Sequence, residues 1–117
     1  MASDKIDLIK SSSSGKVGRA VSEVRGQRLT LDSSASPQAD AFTNSEAFLA
    51  AVSSCGVTLI EGHASQAGIP LKRMAVTIEG VRPGSEPSRF TSVTMRFELA
   101  GVTQAQAEDL VKTYRGH

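Results

Sequence analysis

Aromatic residues are scarce in this sequence: they make up 4% of its 117 residues, and tryptophan is absent. Aromatic side chains bury the most surface per residue, so the core must be aliphatic and thin. A chain of this length fits one domain, expected to span residues 1–117, with an adequate but not generous core. We therefore expect the protein to bury additional apolar surface in an oligomer.

A concentrated positive charge is also lacking. The formal net charge is +1, and no basic cluster or stripe is visible, so nucleic acid is not expected as a partner. The first ten residues, MASDKIDLIK, include acidic residues and no long apolar run. We therefore expect neither a signal peptide nor a membrane anchor there, and no membrane partner.

Cysteine occurs once, at Cys55. An internal disulfide is therefore impossible, and a cytoplasmic location fits best. Cys55, His63 and His117 are not spaced as metal ligands usually are, so neither a metal nor another bound cofactor is expected.

Alternation of apolar and polar residues predicts five β-strands. They are expected at residues 5–9, 16–24, 27–32, 74–81 and 89–99. Arg25-Gly26 predicts the turn of a hairpin between the second and third strands. The serine run at residues 11–15 predicts a flexible turn, within a partly flexible stretch at 1–15. The last two strands predict a long antiparallel hairpin with one solvated side.

Residues 42–68 predict one long helix. Thr43 and Glu46 have the spacing of a capping box, and Gly68 followed by Pro70 ends the helix. About 24 residues at about 1.5 Å each make it roughly 36 Å long. The apolar stripe expected to face the core consists of Phe48, Leu49, Val52, Cys55, Leu59 and Ile60.

A second capping box, Thr103 with Gln106, predicts a final helix that runs through Tyr114. The strand segments are expected to cover the long helix.

Cys55 allows two interpretations. Free cysteine is among the most buried residue types, so a small core residue is the plainer interpretation of its place on the stripe. The alternative is a reactive thiol, whose pKa must be lowered by a nearby cation or a helix N-terminus. Cys55 lies in the middle of the predicted helix, so a cation would have to come from another element.

Arg19 is the candidate cation, because it shares a strand face with Val17 and Val21 and an inward arginine needs a partner. It equally fits an edge strand from which its side chain reaches water. Glu46 is the candidate carboxylate, although helix capping alone would explain it. Nine residues of straight helix place Glu46 and Cys55 about 180° and roughly 13.5 Å apart. A shared site therefore needs a bent helix or a second chain.

Residues 43–55, TNSEAFLAAVSSC, resemble the central-helix signature of the OsmC/Ohr family. Residues 68–71, GIPL, resemble the family's next segment. Residues 18–22, GRAVS, resemble its N-terminal strand, which carries the active-site arginine. The likeness covers about residues 15–117.

This resemblance implies an α+β fold, in which an antiparallel sheet packs on a long central helix, and an intertwined homodimer with active sites at the interface. It also implies thiol-dependent reduction of organic or inorganic hydroperoxides in the response to oxidative or osmotic stress. Cys55 would be the peroxidatic nucleophile, Arg19 would stabilise its thiolate, and Glu46 would orient Arg19 across the dimer. Attack on the peroxide turns Cys55 into a sulfenic acid.

Two departures from the family pattern favour an alternative. Asn44-Ser45 replaces the proline that usually precedes the glutamate, and in the best-studied branch that glutamate lies one residue further from the cysteine. The family's resolving cysteine follows the last helix, and this sequence ends at His117, about where that cysteine would begin. Either the sequence is truncated and lacks this cysteine and the family's C-terminal strand, or the protein works without them. Without the second cysteine, an external dithiol is the expected reductant. The alternative is a non-catalytic OsmC-like stress protein, or a dimer that binds a small ligand and does not turn over its thiol.

Overall fold

Residues 4–115 form an α+β fold with two helices and antiparallel sheets, as the sequence predicts. The computed structural model describes residues 4–115. In chain order the elements are β1 (Lys10–Ser13), β2 (Arg19–Val24), β3 (Gln27–Asp32), α1 (Asn44–Ala67), β4 (Arg73–Val81), β5 (Ser92–Ala100) and α2 (Gln104–Arg115). Contacts divide the chain into an N-terminal unit, Met1–Phe48, and a C-terminal unit, Leu49–His117.

The N-terminal unit contains a three-stranded antiparallel sheet in the order β1-β2-β3. The β2–β3 hairpin turns at Arg25 and Gly26, whose φ angles of 51° and 80° suit the two left-handed positions of a type I′ turn. This two-residue turn sets a register in which Arg19 lies opposite Asp32. The predicted hairpin is confirmed, and its register brings two opposite charges together at its open end.

The first strand differs from the prediction. Residues 4–9 have no regular structure, and Ile6 and Leu8 are 85% and 83% exposed, so the strand predicted at residues 5–9 is wrong. The serine run predicted as a turn instead forms most of β1, and Ser11 Oγ lies 2.8 Å from Ser22 Oγ of β2. An edge strand exposed on both faces needs no apolar residues, so hydrophobic alternation did not reveal it.

Both helices begin at their predicted capping boxes. The Thr43 amide donates to Glu46 Oε1 at 2.9 Å, and the Glu46 amide donates to Thr43 Oγ1 at 3.2 Å. Thr103 and Gln106 make the same exchange at 3.0 Å and 3.1 Å. These bonds satisfy first-turn amides that have no partner within the helix. Gly68, with a φ of 69°, follows the end of α1 as predicted.

The core of the C-terminal unit lies where α1 and α2 pack on the β4–β5 hairpin. Ile60, Ala64 and Leu110 expose 0%, 2% and 1% of their surface. The partly buried side chains around them are Ile69, Leu71, Met74, Phe97, Leu99, Val111 and Tyr114. This core is mostly aliphatic, as the low aromatic content predicts.

The packed face of α1 includes only part of the predicted stripe: Ile60 is fully buried, whereas Phe48 is 55% exposed. The buried positions on this helix are Gly56, Ile60 and Ala64. Cys55 is exposed and Leu59 is 44% exposed. At Gly56, an added methyl group would lie 3.4 Å from Met95 Cε and 3.6 Å from Phe97 Cε1. Both distances are ordinary van der Waals contacts, so Gly56 lies against the sheet. A residue without a side chain gives no hydrophobic signal in the sequence for this buried face.

By length and composition alone, α1 is long and apolar enough to cross a membrane. Core helices of soluble proteins meet the same criterion. Ile60 and Ala64 of α1 pack inside the C-terminal unit. The length and apolar composition of α1 therefore do not by themselves indicate a membrane-spanning helix.

Replacing Ile60 with alanine tests which face of α1 is packed. Because Ile60 has no solvent exposure, we expect the cavity to lower the free energy of unfolding by about 2–5 kcal/mol. Urea denaturation followed by circular dichroism measures this change. Val17 is 99% exposed, so the control Val17→Ala should change stability by less than about 0.5 kcal/mol. Equal effects of the two substitutions would contradict the packing of Ile60.

Candidate functional site

Arg19, the first residue of β2, is held by two carboxylates. Its Nη1 donates to Asp32 Oδ2 at 2.7 Å and to Asp40 Oδ1 at 3.1 Å, while Nη2 donates to Asp40 Oδ2 at 3.0 Å. The Arg19 side chain is 15% exposed. The contact with Asp32 follows from the hairpin register, which places these two residues opposite each other.

Asp32, the last residue of β3, is the one charged side chain within residues 4–114 that is fully buried. Its Oδ1 accepts hydrogen bonds from the Ser34 amide at 3.0 Å and the Ser34 hydroxyl at 2.6 Å. Its Oδ2 accepts one from the Gln38 amide at 2.9 Å, beside that from Arg19. A buried carboxylate needs both hydrogen bonds and a countercharge. These three residues supply them.

The same donors keep the three charged groups ionised. The Ser34 hydroxyl and the Gln38 amide, assisted by Arg19, hold the pKa of Asp32 far below its usual range and outweigh the opposing effect of burial. The hydrogen bond from Arg19 lowers the pKa of Asp40. The bonds to Asp40 and then Asp32 raise the pKa of Arg19. At neutral pH the cluster therefore contains one positive and two negative charges.

Gly18 allows the segment after β3 to pass close to Arg19. Its φ is 91°, and an added Cβ would lie 2.6 Å from Ser34 Cα. The Gly18 carbonyl also accepts a hydrogen bond from the Ser33 amide at 2.9 Å. A larger residue would displace Ser34, which in turn supports Asp32. Gly18 is thus part of the arrangement that holds the arginine.

A cavity of about 590 Å³ adjoins this cluster. It is lined by Ser14, Lys16, Arg19, Val21, Thr30, Gln38, Ala39 and Asp40. Arginine carries five N–H groups, and three of those on Arg19 are used by the two aspartates. Its Nε–H and one Nη2–H have no acceptor among the described residues. They can therefore donate to an oxygen of a bound molecule.

Glu46 lies in the same unit as Arg19 but is engaged elsewhere. Its carboxylate accepts the hydrogen bond from the Thr43 amide at the start of α1. Within residues 4–115, the ion pairs of Arg19 go to Asp32 and Asp40. The role predicted for Glu46 across a dimer stays a prediction.

Cys55 belongs to the C-terminal unit and is exposed on α1. The interpretation of Cys55 as a core residue is therefore wrong for this chain. Its carbonyl oxygen accepts a hydrogen bond from Thr58 Oγ1 at 3.4 Å, an interaction internal to the helix that leaves the sulfur unaffected. Access to the thiol is a common property of reactive cysteines.

No group of three His, Cys, Asp or Glu side chains is placed to hold a metal ion in the part of the chain that the structure describes. His63 is exposed on α1, and His117 lies outside the described residues.

A family model for OsmC-like proteins matches residues 37–116 of this sequence. This chain belongs to the OsmC-like family. The match includes Asp40, Glu46 and Cys55, and it begins after Arg19 and Asp32. The family resemblance inferred from residues 43–55 is confirmed.

Solved structures of OsmC-like proteins share this fold. An OsmC-like protein from Mycoplasma pneumoniae has a TM-score of 0.82 and 16% identity, over 98% of this chain and 84% of that one. The organic hydroperoxide resistance protein OsmC from Legionella pneumophila has a TM-score of 0.74 and 21% identity, over 98% and 85%. An organic hydroperoxide resistance protein from Elizabethkingia anophelis has a TM-score of 0.74 and 17% identity, over 99% and 85%. The curated proteins gave no significant sequence match.

Asp32 and Asp40 were not predicted as partners of Arg19. For Asp32 a signal exists: a two-residue turn at Arg25-Gly26 pairs Arg19 with Asp32 when residues are counted outward along both strands. Asp40 lies in a segment with no strand or helix periodicity, so nothing in the sequence indicates its contact.

Replacing Asp32 with asparagine should destabilise the protein and reduce the effect of acid on its stability. The pKa of Asp32 is lower in the folded chain than the ordinary value of about 3.9, so its stabilising contribution is complete above that value and lost as the pH falls below it. Urea denaturation between about pH 2 and pH 7 measures the free energy of unfolding. Below the ordinary pKa of an aspartate, this free energy should fall less steeply with decreasing pH for Asp32→Asn than for the unmodified protein.

Glu23→Gln is the control for this measurement, because Glu23 forms a surface ion pair with Arg28 in which the side chains are 50% and 69% exposed. Surface ion pairs contribute little to the free energy of unfolding, so the loss of stability of Glu23→Gln in acid should match that of the unmodified protein. If the free energy of unfolding of Asp32→Asn depended on pH as steeply as that of the unmodified protein, the lowered pKa of Asp32 would be contradicted.

Proposed function

We propose that this OsmC-like protein is a thiol-dependent peroxidase that reduces organic or inorganic hydroperoxides through Cys55, in the response to oxidative or osmotic stress. The observation that carries the proposal is the exposure of the single cysteine within the segment that matches the family model. Two proteins with the same fold are described as organic hydroperoxide resistance proteins.

In the proposed reaction, the Cys55 thiolate attacks one peroxide oxygen. The S–O bond forms as the O–O bond breaks, and the leaving alkoxide takes a proton to become an alcohol. The sulfur loses two electrons to the peroxide and becomes a sulfenic acid. An external dithiol then regenerates the thiol. Its first sulfur displaces water to form a mixed disulfide, and its second sulfur releases Cys55.

Arg19 has two tasks in this proposal: it favours the thiolate and donates hydrogen bonds to a peroxide oxygen. Arginine keeps its proton at physiological pH. The two N–H groups of Arg19 not used within residues 4–115 support the second task. Because Asp32 and Asp40 offset its charge, we assign Arg19 more to directed hydrogen bonding than to long-range attraction.

The proposal includes a homodimer and a cytoplasmic location. Two large apolar side chains of α1, Phe48 and Leu59, are 55% and 44% exposed. Together with Cys55 they follow the spacing of one helical stripe. Association of two chains through Phe48 and Leu59 would remove apolar surface from water. It would place Cys55 beside the interface, where the family resemblance puts the active sites. A reducing compartment supplies the dithiol that the reaction consumes.

Cys55→Ser should abolish the reaction. With tert-butyl hydroperoxide as substrate and dithiothreitol as reductant, we expect peroxide consumption to fall to the rate measured without protein, because serine is a far weaker nucleophile than a thiolate. The matched control is Ser54→Ala, which changes the adjacent exposed side chain and should keep the activity. Peroxide consumption that survives Cys55→Ser would contradict the proposal.

A non-catalytic OsmC-like protein is the second candidate, and the ion pairs of Arg19 favour it because two carboxylates already offset the candidate cation. The dependence of Cys55 alkylation on pH distinguishes the two. An apparent thiol pKa near about 8.5, without Cys55-dependent peroxide consumption, supports the non-catalytic protein. A clearly lower pKa together with turnover supports the peroxidase.

Glu46→Gln separates capping from catalysis. Glutamine also forms a capping box, so stability should change by less than about 0.5 kcal/mol. If Glu46 orients Arg19 across the dimer, loss of its charge should lower kcat/KM by about tenfold, equivalent to about 1.4 kcal/mol. Steady-state peroxide reduction and urea denaturation measure the two quantities. Unchanged kcat/KM would restrict Glu46 to capping α1.

A further inference from the structure

We propose that Asp32 is a positioning residue that fixes the guanidinium of Arg19 for the peroxidase reaction, and that Asp40 is a secondary partner at the surface. The inference deepens the proposed function and rests on it. It assigns the two carboxylates around Arg19 different roles because they differ in burial and support.

Burial separates the two carboxylates. The side chain of Asp32 is fully buried, whereas that of Asp40 is 67% exposed. Water can replace the hydrogen bonds that an exposed carboxylate makes, but it cannot reach a buried acceptor to replace a lost donor. Breaking the Arg19–Asp32 bond therefore leaves a buried charge without its cation, while the Arg19–Asp40 bonds can be exchanged for bonds to solvent.

Support from the backbone separates them further. Asp32 is paired in the sheet with Arg19 itself, and its carboxylate is immobilised by the Ser34 amide, the Ser34 hydroxyl and the Gln38 amide. Asp40 lies in the segment between β3 and α1, outside both elements. Asp32 is thus a rigid acceptor, and its 2.7 Å bond to Nη1 holds one end of a planar group.

Fixing Nη1 restricts the orientation of the remaining donors. A guanidinium is planar, with its N–H groups in a rigid fork. The side-chain stem of Arg19 restrains one end of this group and the bond from Nη1 to Asp32 the other, so the directions of Nε–H and Nη2–H are restricted. The two bonds to Asp40 act on the same group, but from an exposed carboxylate. Catalytic donors are effective when they are oriented before the reaction begins. The expected consequence is a loss of turnover, rather than of substrate binding, when the anchor is removed.

The first experiment measures the order of Arg19 directly. The NMR order parameter of its Nε–H is compared in the unmodified protein, Asp32→Asn and Asp40→Asn. Both substitutions remove one negative charge from the immediate partners of Arg19, so they are matched in charge. We expect Asp32→Asn to lower the order parameter into the flexible range, below about 0.6, and Asp40→Asn to lower it less. An equal or larger loss in Asp40→Asn would overturn the proposal.

The second experiment measures turnover. We expect Asp32→Asn to lower kcat by about 10- to 100-fold, with KM within about twofold because uniform binding is retained, and Asp40→Asn to have a smaller effect. Rates are corrected for the folded fraction and compared with the surface control Glu23→Gln. If the Arg19–Asp32 ion pair had only a structural role, the folded fraction of Asp32→Asn would have a normal kcat. That result would overturn the proposal.

Ser34→Ala keeps the test decisive if Asp32→Asn does not fold. It removes the hydroxyl bond to Asp32 Oδ1 and leaves the charge and the Ser34 amide bond in place. A reduced order parameter of Arg19 Nε–H in this variant supports the proposal, and an unchanged value overturns it. Failure of the proposed function is recognised separately, as an unmodified protein without Cys55-dependent peroxide consumption, because the NMR comparison needs no turnover.

Discussion

The buried carboxylate of Asp32 is the constraint on which the N-terminal unit depends. It requires hydrogen bonds from Ser34 and Gln38 and a countercharge from Arg19, since an uncompensated charge is too costly inside a protein. These interactions connect β2, β3 and the segment that follows β3. Gly18 supplies the space in which Ser34 can approach. The arginine that the family resemblance assigns to the active site is thus a structural element of its own sheet.

The C-terminal unit gives α1 two different apolar faces. Gly56, Ile60 and Ala64 pack against the β4–β5 hairpin and α2, and this face accounts for stability within one chain. Cys55 and Leu59 lie on the other face and remain exposed. Because these two faces are distinct, the proposed peroxidase reaction and the proposed dimer use side chains that are not needed for the core of a single chain.

Local signals made much of the fold predictable. The two capping boxes, Gly68 and the Arg25-Gly26 turn each depend on contacts between residues close in sequence, and the structure has all four. The family signature around Cys55 likewise occupies one short run. Prediction failed where contacts between residues distant in sequence determine the structure. The edge strand β1 is polar, and the buried face of α1 contains a glycine, so neither has a hydrophobic pattern. Asp40 contacts Arg19 from a segment without regular structure.

The capping boxes have a consequence for the order of folding. Each joins residues three apart in sequence, so its formation involves very little loop-closure entropy. The first turns of both helices can therefore form on the timescale of helix nucleation, before the long-range strand pairs exist. The β4–β5 hairpin, whose innermost register joins Val81 to Ser92, must first close the longer loop between these two residues. Helix ends defined early would limit the number of ways in which that slower pairing can go wrong.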